Sequence, residues 1–144
     1  MRTLTYILSS ILLVCTSSAG TANHLPSLDG AFLVEISDSL EFTAGREGSA
    51  KNEILLTFTT DVGEQVNYVD MDEDDFVPFM PSMGHGTEHR HLVSFIGEVP
   101  NQVLVSNIYF SMPSMGHHGW ELRISAILDG NEATFTIPVN VERP

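Results

Sequence analysis

Trp120-Glu121-Leu122-Arg123-Ile124-Ser125-Ala126-Ile127-Leu128-Asp129-Gly130-Asn131-Glu132-Ala133-Thr134-Phe135-Thr136-Ile137-Pro138-Val139-Asn140-Val141 reads as two strands and the turn between them. Trp120, Leu122, Ile124, Ala126 and Leu128 fall on one side of a two-residue period, with Glu121, Arg123 and Ser125 on the other. Ala133, Phe135, Ile137, Val139 and Val141 repeat the pattern against Glu132, Thr134, Thr136 and Asn140. Strict alternation of this kind marks a strand with one buried face. Asp129-Gly130-Asn131 carries the residues that tight hairpin turns require.

Outward from that hairpin the same period recurs. Phe32, Val34 and Ile36 share a face, and so do Ile54, Leu56 and Phe58, although Leu55 interrupts the second set. Residues 66–71 and 91–96 give two further, less regular runs. In a fifth run, Leu104, Ile108 and Phe110 alternate with Val105, Asn107 and Tyr109. Gly45, Gly48, Gly63, Pro78, Pro81 and Pro100 separate the runs, and the stretch at 38–51 has no clear pattern. About seven short strands without a helical period predict an all-β fold, an immunoglobulin-like antiparallel β-sandwich. A small barrel is the alternative architecture.

Ahead of the strands lies a segment of another kind. Arg2 precedes an apolar run of eleven residues at 4–14, followed by small residues at Ser17, Ser18, Ala19, Gly20 and Ala22. This is the layout of a cleaved secretory signal peptide. The run is well short of the roughly 20 residues that a spanning helix needs. The expected organisation is a signal peptide at 1–22 and one domain at 23–144, exported to the periplasm or secreted. Cleavage after Ala19 also fits. A lipid anchor at Cys15 is the rival, disfavoured because Val14 stands where a small residue is expected. Cys15 is the only cysteine, so the expected mature domain has neither thiol nor disulfide.

Six Lys+Arg against nineteen Asp+Glu give a net charge of −13. Nucleic-acid binding needs a basic footprint that this chain lacks. Insertion of the mature domain into a membrane is not expected either. The acidic run at 70–75 begins with the spacing of a calcium-binding loop. It then puts Asp75 where glycine is required and Pro81 where a bidentate glutamate is required, so it reads as a solvated loop.

One phrase occurs twice. Met80-Pro81-Ser82-Met83-Gly84-His85 returns letter for letter as Met112-Pro113-Ser114-Met115-Gly116-His117. His89 and His91 follow the first copy and His118 the second. Thioether sulfur favours Cu(I), and imidazole serves Cu(I) and Cu(II) alike. The candidate metal ligands are therefore Met80, Met83, His85, Met112, Met115, His117 and His118, with copper as the expected ion and zinc as its competitor. Glu88 and Glu121 are candidates to orient a ligating imidazole. Trp120 could cover a cuprous ion, but its phase with Leu122 and Ile124 makes it a core residue. Methionine can also be plain core filler, and it is the exact repetition that argues for a site. The two phrases are expected in separate loops at one end of the sandwich. No nucleophile–base pair or motif-set carboxylate pair is present, so the chain is read as a non-enzyme.

The segment from Phe79 through the first phrase to Gly86 bears a family resemblance, together with Phe110-Ser111-Met112-Pro113 and Gly119-Trp120-Glu121-Leu122-Arg123-Ile124. It resembles the YtkA-like domain, a family related to FixH proteins, over about residues 25–141. The resemblance implies a small β-sandwich outside the cytoplasm, linked with copper handling or with assembly of copper-containing respiratory oxidases. This chain departs from the pattern in the extra Met115-Gly116-His117-His118 and in showing no counterpart of the FixH membrane anchor. The resulting expectation is a periplasmic copper chaperone or scavenger, with a membrane copper transporter or oxidase as a possible partner. The alternative is a non-catalytic interaction module docking on such a partner.

Overall fold

The computed structural model describes residues 23–37, 41–45, 52–86, 91–95 and 98–144. The proposed signal peptide at 1–22, with Cys15, lies outside them, as do Glu88 and His89. Among the described residues the chain forms β1 (Asn23–Pro26), β2 (Phe32–Ile36), β3 (Glu41–Thr43), β4 (Asn52–Thr60), β5 (Val69–Asp70), β6 (Phe76–Met80), β7 (His85–Gly86), β8 (Leu92–Phe95), β9 (Gln102–Ile108), β10 (Trp120–Leu128) and β11 (Asn131–Glu142). No helix among them is long and apolar enough to cross a membrane.

The hairpin that dominates the sequence forms as its pattern predicts. β10 and β11 pair from Trp120↔Val139 to Leu128↔Asn131. Asp129 and Gly130 have φ of 49° and 83°, and two consecutive positive φ values suit the right-handed twist of the flanking strands. The Asp129 carboxylate also accepts the backbone N–H groups of Asn67 and Tyr68 at 3.0 and 2.9 Å. The turn is thereby tied to the approach into β5, which pairs with β10 at Asp70↔Ile127 and Val69↔Leu128.

Two sheets pack face to face. One has the order β1-β2-β4-β9-β8, and the other β3-β11-β10-β6-β7 with β5 beside β10. Taking β2, β4, β9 and β8 as strands A, B, E and D, and β6, β10 and β11 as C, F and G, gives the immunoglobulin arrangement. β3 adds a parallel strand to β11, and all the other strand pairs are antiparallel. The alternating apolar residues meet between the sheets: Phe58 of β4 and Phe135 of β11 lie with ring centroids 5.7 Å apart. The fold is an all-β sandwich, with more strands than the seven or so expected because several are only two to four residues long.

Two elements differ from the sequence reading for local reasons. Pro78, taken as a breaker, lies inside β6 opposite Leu122. β7 reaches only Phe79 and Met80, so on that side Pro78 has no ladder bond to lose. In β9, Val103 and Val105 are buried rather than Leu104. Asn107 takes a φ of 56°, and the β4 register shifts there from Ile54↔Val105 to Asn52↔Ile108. One extra residue on β9 forms a β-bulge that flips the inward phase, so Ile108 and Phe110 also face the core.

The acidic run is ordered around its own backbone. The Asp72 carboxylate accepts the Asp74 N–H at 2.8 Å, and that of Asp75 accepts the Asp72 N–H at 2.9 Å. These bonds cap the 3-10 turn Glu73–Asp75, so two of the carboxylates are already engaged.

Candidate metal centre

Topology decides where the two phrases go. β6 and β10 are antiparallel neighbours, with Phe79 opposite Glu121. Met80, one residue on, thus arrives at the end of the sheet where Trp120 begins β10. The first phrase leaves from that point and the second phrase leads into it. The C-terminal end of a strand and the N-terminal start of its antiparallel partner necessarily share one end of a sheet.

The same six letters nevertheless adopt two conformations. In the first copy Met80 completes β6, Pro81–Met83 make one 3-10 turn, and Gly84 ends it at φ 69° and ψ 17°. Gly84 donates its N–H to Met80 and Pro81 carbonyls at 3.1 and 3.2 Å. Proline at the turn's start and a left-handed glycine at its end are the residues such a turn favours. His85 then starts β7, opposite Met80.

In the second copy Ser114 docks on the end of β11. Its N–H donates to the Val141 carbonyl at 2.8 Å, and its hydroxyl oxygen accepts the Val141 N–H at 3.0 Å. Met115 and His118 form a two-residue hairpin closure, with reciprocal backbone bonds of 3.1 and 2.7 Å. Positive φ falls on Gly116 alone of the two central residues, at 53°, as a type II′ turn requires. The indole N–H of Trp120 donates to the Met112 carbonyl at 2.9 Å and pins the loop from below.

The methionines divide by position in the phrase. Met80 is 1% exposed and belongs to the core, and Met112 is partly buried against it. Met83 and Met115 are 51% and 48% exposed. The first methionine of each copy packs on the sandwich core, and the second is about half exposed. An ion arriving from water meets Met83 and Met115; Met80 would have to leave the core to reach it.

The two loops touch, one residue past the second copy. The Ser82 hydroxyl lies 2.7 Å from Nδ1 of His118. His118 is half-buried and His117 exposed on the same hairpin. Among the described residues no three His, Cys, Asp or Glu side chains gather as a metal group. Met83 and Met115 place thioether sulfur on the same two loops. Nothing in the sequence separates Ser82 from Ser114; only the fold makes one a contact between the loops and the other an anchor.

Other candidates have found different partners. Glu121 holds the Nε of Arg123 at 2.7 Å, and the Arg123 guanidinium lies 3.5 Å over the Phe79 ring. Trp120 is 3% exposed and packs edge-on against Phe110 at 5.2 Å; it is a core residue. His91 does not point to solvent. It is buried, donates from Nε2 to the Glu73 carbonyl, and meets the Phe76 ring edge-on at 5.0 Å.

No family model, curated protein or solved structure matches this chain. Two half-exposed thioethers and adjacent imidazoles sit on two loops joined by the Ser82–His118 hydrogen bond, at the end of a sandwich whose described residues contain no cysteine.

Proposed function

We propose that this protein binds copper outside the cytoplasm, as a chaperone or scavenger in the periplasm, and that it is a YtkA-like domain related to the FixH proteins. Cu(I) is held by Met83 and Met115 with His118. Met112, His85 and His117 are further donors carried by the same loops. Zinc is the competing ion, since imidazoles alone can bind it. The observation that carries this reading is the Ser82–His118 contact, which joins the loop of the first soft-ligand phrase to the histidine that directly follows the second. Thioether donors carry no proton to be displaced, and half-exposed ligands permit transfer by exchange. A membrane copper transporter or an oxidase is the partner class to which such a carrier would deliver.

The test is titration of the purified protein with Cu(I) against a competing chelator. A variant with leucine at Met80, Met83, Met112 and Met115 is the control. Binding no tighter than that of the variant ends the reading.

A second reading rests on the exposure of Met83 and Met115 themselves. Flexible thioether side chains make adaptable apolar contacts, so the loops would serve a non-catalytic module docking on a membrane transporter or oxidase. Partner binding that is indifferent to copper favours this second reading.

A further inference from the structure

The Ser82–His118 bond has a consequence for which atom of His118 faces an ion. We propose that Ser82 is a positioning residue: its hydroxyl engages Nδ1 of His118 and so presents Nε2 as the donor atom. This inference rests on the copper reading and adds to it a residue that supplies no ligand atom.

The His118 backbone is fixed on both sides by its bonds to Met115, of 2.7 and 3.1 Å. Ring orientation is then the remaining freedom, and the 2.7 Å contact from Ser82 occupies one ring nitrogen. No described residue bonds Nε2. A hydroxyl can meet Nδ1 in two ways. It can donate to Nδ1, which leaves the ring proton on Nε2, or it can accept from Nδ1–H, which leaves the Nε2 lone pair free. An ion on Nε2 selects the second arrangement. A fixed partner on the far nitrogen of a ligating histidine sets the ring orientation and raises its basicity as a donor. Ser82 reaches His118 because the 3-10 turn of the first phrase ends beside the hairpin of the second. Ser114 occupies the same place in its own phrase but is spent on β11, so the two serines divide the work of clasp and anchor.

The experiment compares wild type, Ser82→Ala, Ser82→Thr and Ser114→Ala. It reads Cu(I) affinity by chelator competition and the His118 ring nitrogens by 15N NMR, with and without Cu(I). In wild type, Cu(I) is expected on Nε2, with a proton on Nδ1. Ser82→Ala should weaken Cu(I) by about tenfold, the lower end of the range for such partners, and should lose the single coordination mode. Ser82→Thr, which keeps a hydroxyl, should restore both. Ser114→Ala should leave the coordinating nitrogen of His118 unchanged, so a general loosening of the loops would not mimic the effect. Cu(I) on Nδ1 in wild type overturns the inference, as does an unchanged affinity in Ser82→Ala. Absence of Cu(I) binding in wild type is a different result: it overturns the copper reading itself, and this inference with it.

Discussion

Among the methionines of the repeated phrase, Met80 should act on stability, and Met83 with Met115 on binding. Met80 is 1% exposed in the core, whereas Met83 and Met115 are 51% and 48% exposed. Truncating a buried methionine to alanine removes its transfer free energy and leaves a cavity, about 2–5 kcal/mol in all. Met80→Leu roughly conserves volume and should cost less than about 1.5 kcal/mol. Met83→Leu with Met115→Leu changes only half-exposed side chains and should stay within about 0.5 kcal/mol per site. Copper should report the reverse order. At a free Cu(I) concentration of 100 times the dissociation constant, binding stabilises the folded state by about 2.7 kcal/mol. Urea unfolding with and without buffered Cu(I) therefore reads both quantities in one assay. Met80→Ala should unfold early but retain the copper-dependent increment, while Met83→Leu/Met115→Leu should unfold like wild type and lose it. The reasoning is refuted if the double variant keeps the full increment. It is equally refuted if Met80→Leu, still folded, loses it, because a core thioether would then be the ligand.

Two further outcomes follow from single contacts. Trp120→Phe keeps an aromatic ring against Phe110 but leaves the carbonyl of Met112 without its part-buried 2.9 Å indole donor; denaturant melts should show a loss of about 0.5–1.5 kcal/mol from that bond, and hydrogen exchange should rise across residues 112–119. The Asp29 carboxyl is held below its ordinary value of 3.8, first by the Ser27 hydroxyl and then by the Ala31 N–H. Its folded value is lower than its unfolded one, so its contribution is present above 3.8 and is lost as the pH falls from there through the folded value; Asp29→Asn should flatten that part of the acid arm of a stability–pH curve, and an unchanged arm would show that the bonds do not favour the charged form.

Particular residues show how far the chain could be read in advance. The faces of β10 and β11 were legible because nothing interrupts their alternation, and the turn at Asp129-Gly130 was legible from its residue types. β9 was misread because a bulge at Asn107 shifts the phase by one, and one asparagine in a strand gives no warning of that. β6 was missed because Pro78 counts against a strand in sequence, whereas here its free side faces a place that β7 does not reach. His91 opens the run at 91–96, and its partner, the Glu73 carbonyl, is a backbone group that no sequence pattern announces.

The sequence by itself determined the all-β class, the phase of the strongest strands, and the donor chemistry of the doubled Met-Pro-Ser-Met-Gly-His, since these depend on residue type and local period. Only the tertiary structure decided that the two loops meet, at Ser82 and His118. The antiparallel pairing of β6 with β10 brings the end of one strand to the start of the other, and with them both phrases. It also decided which sulfurs water can reach: Met80 lies in phase with the buried face of β6 and Met83 lies past the end of it. That difference in burial comes from the sheet around each residue, and the letters of the phrase are the same in both copies.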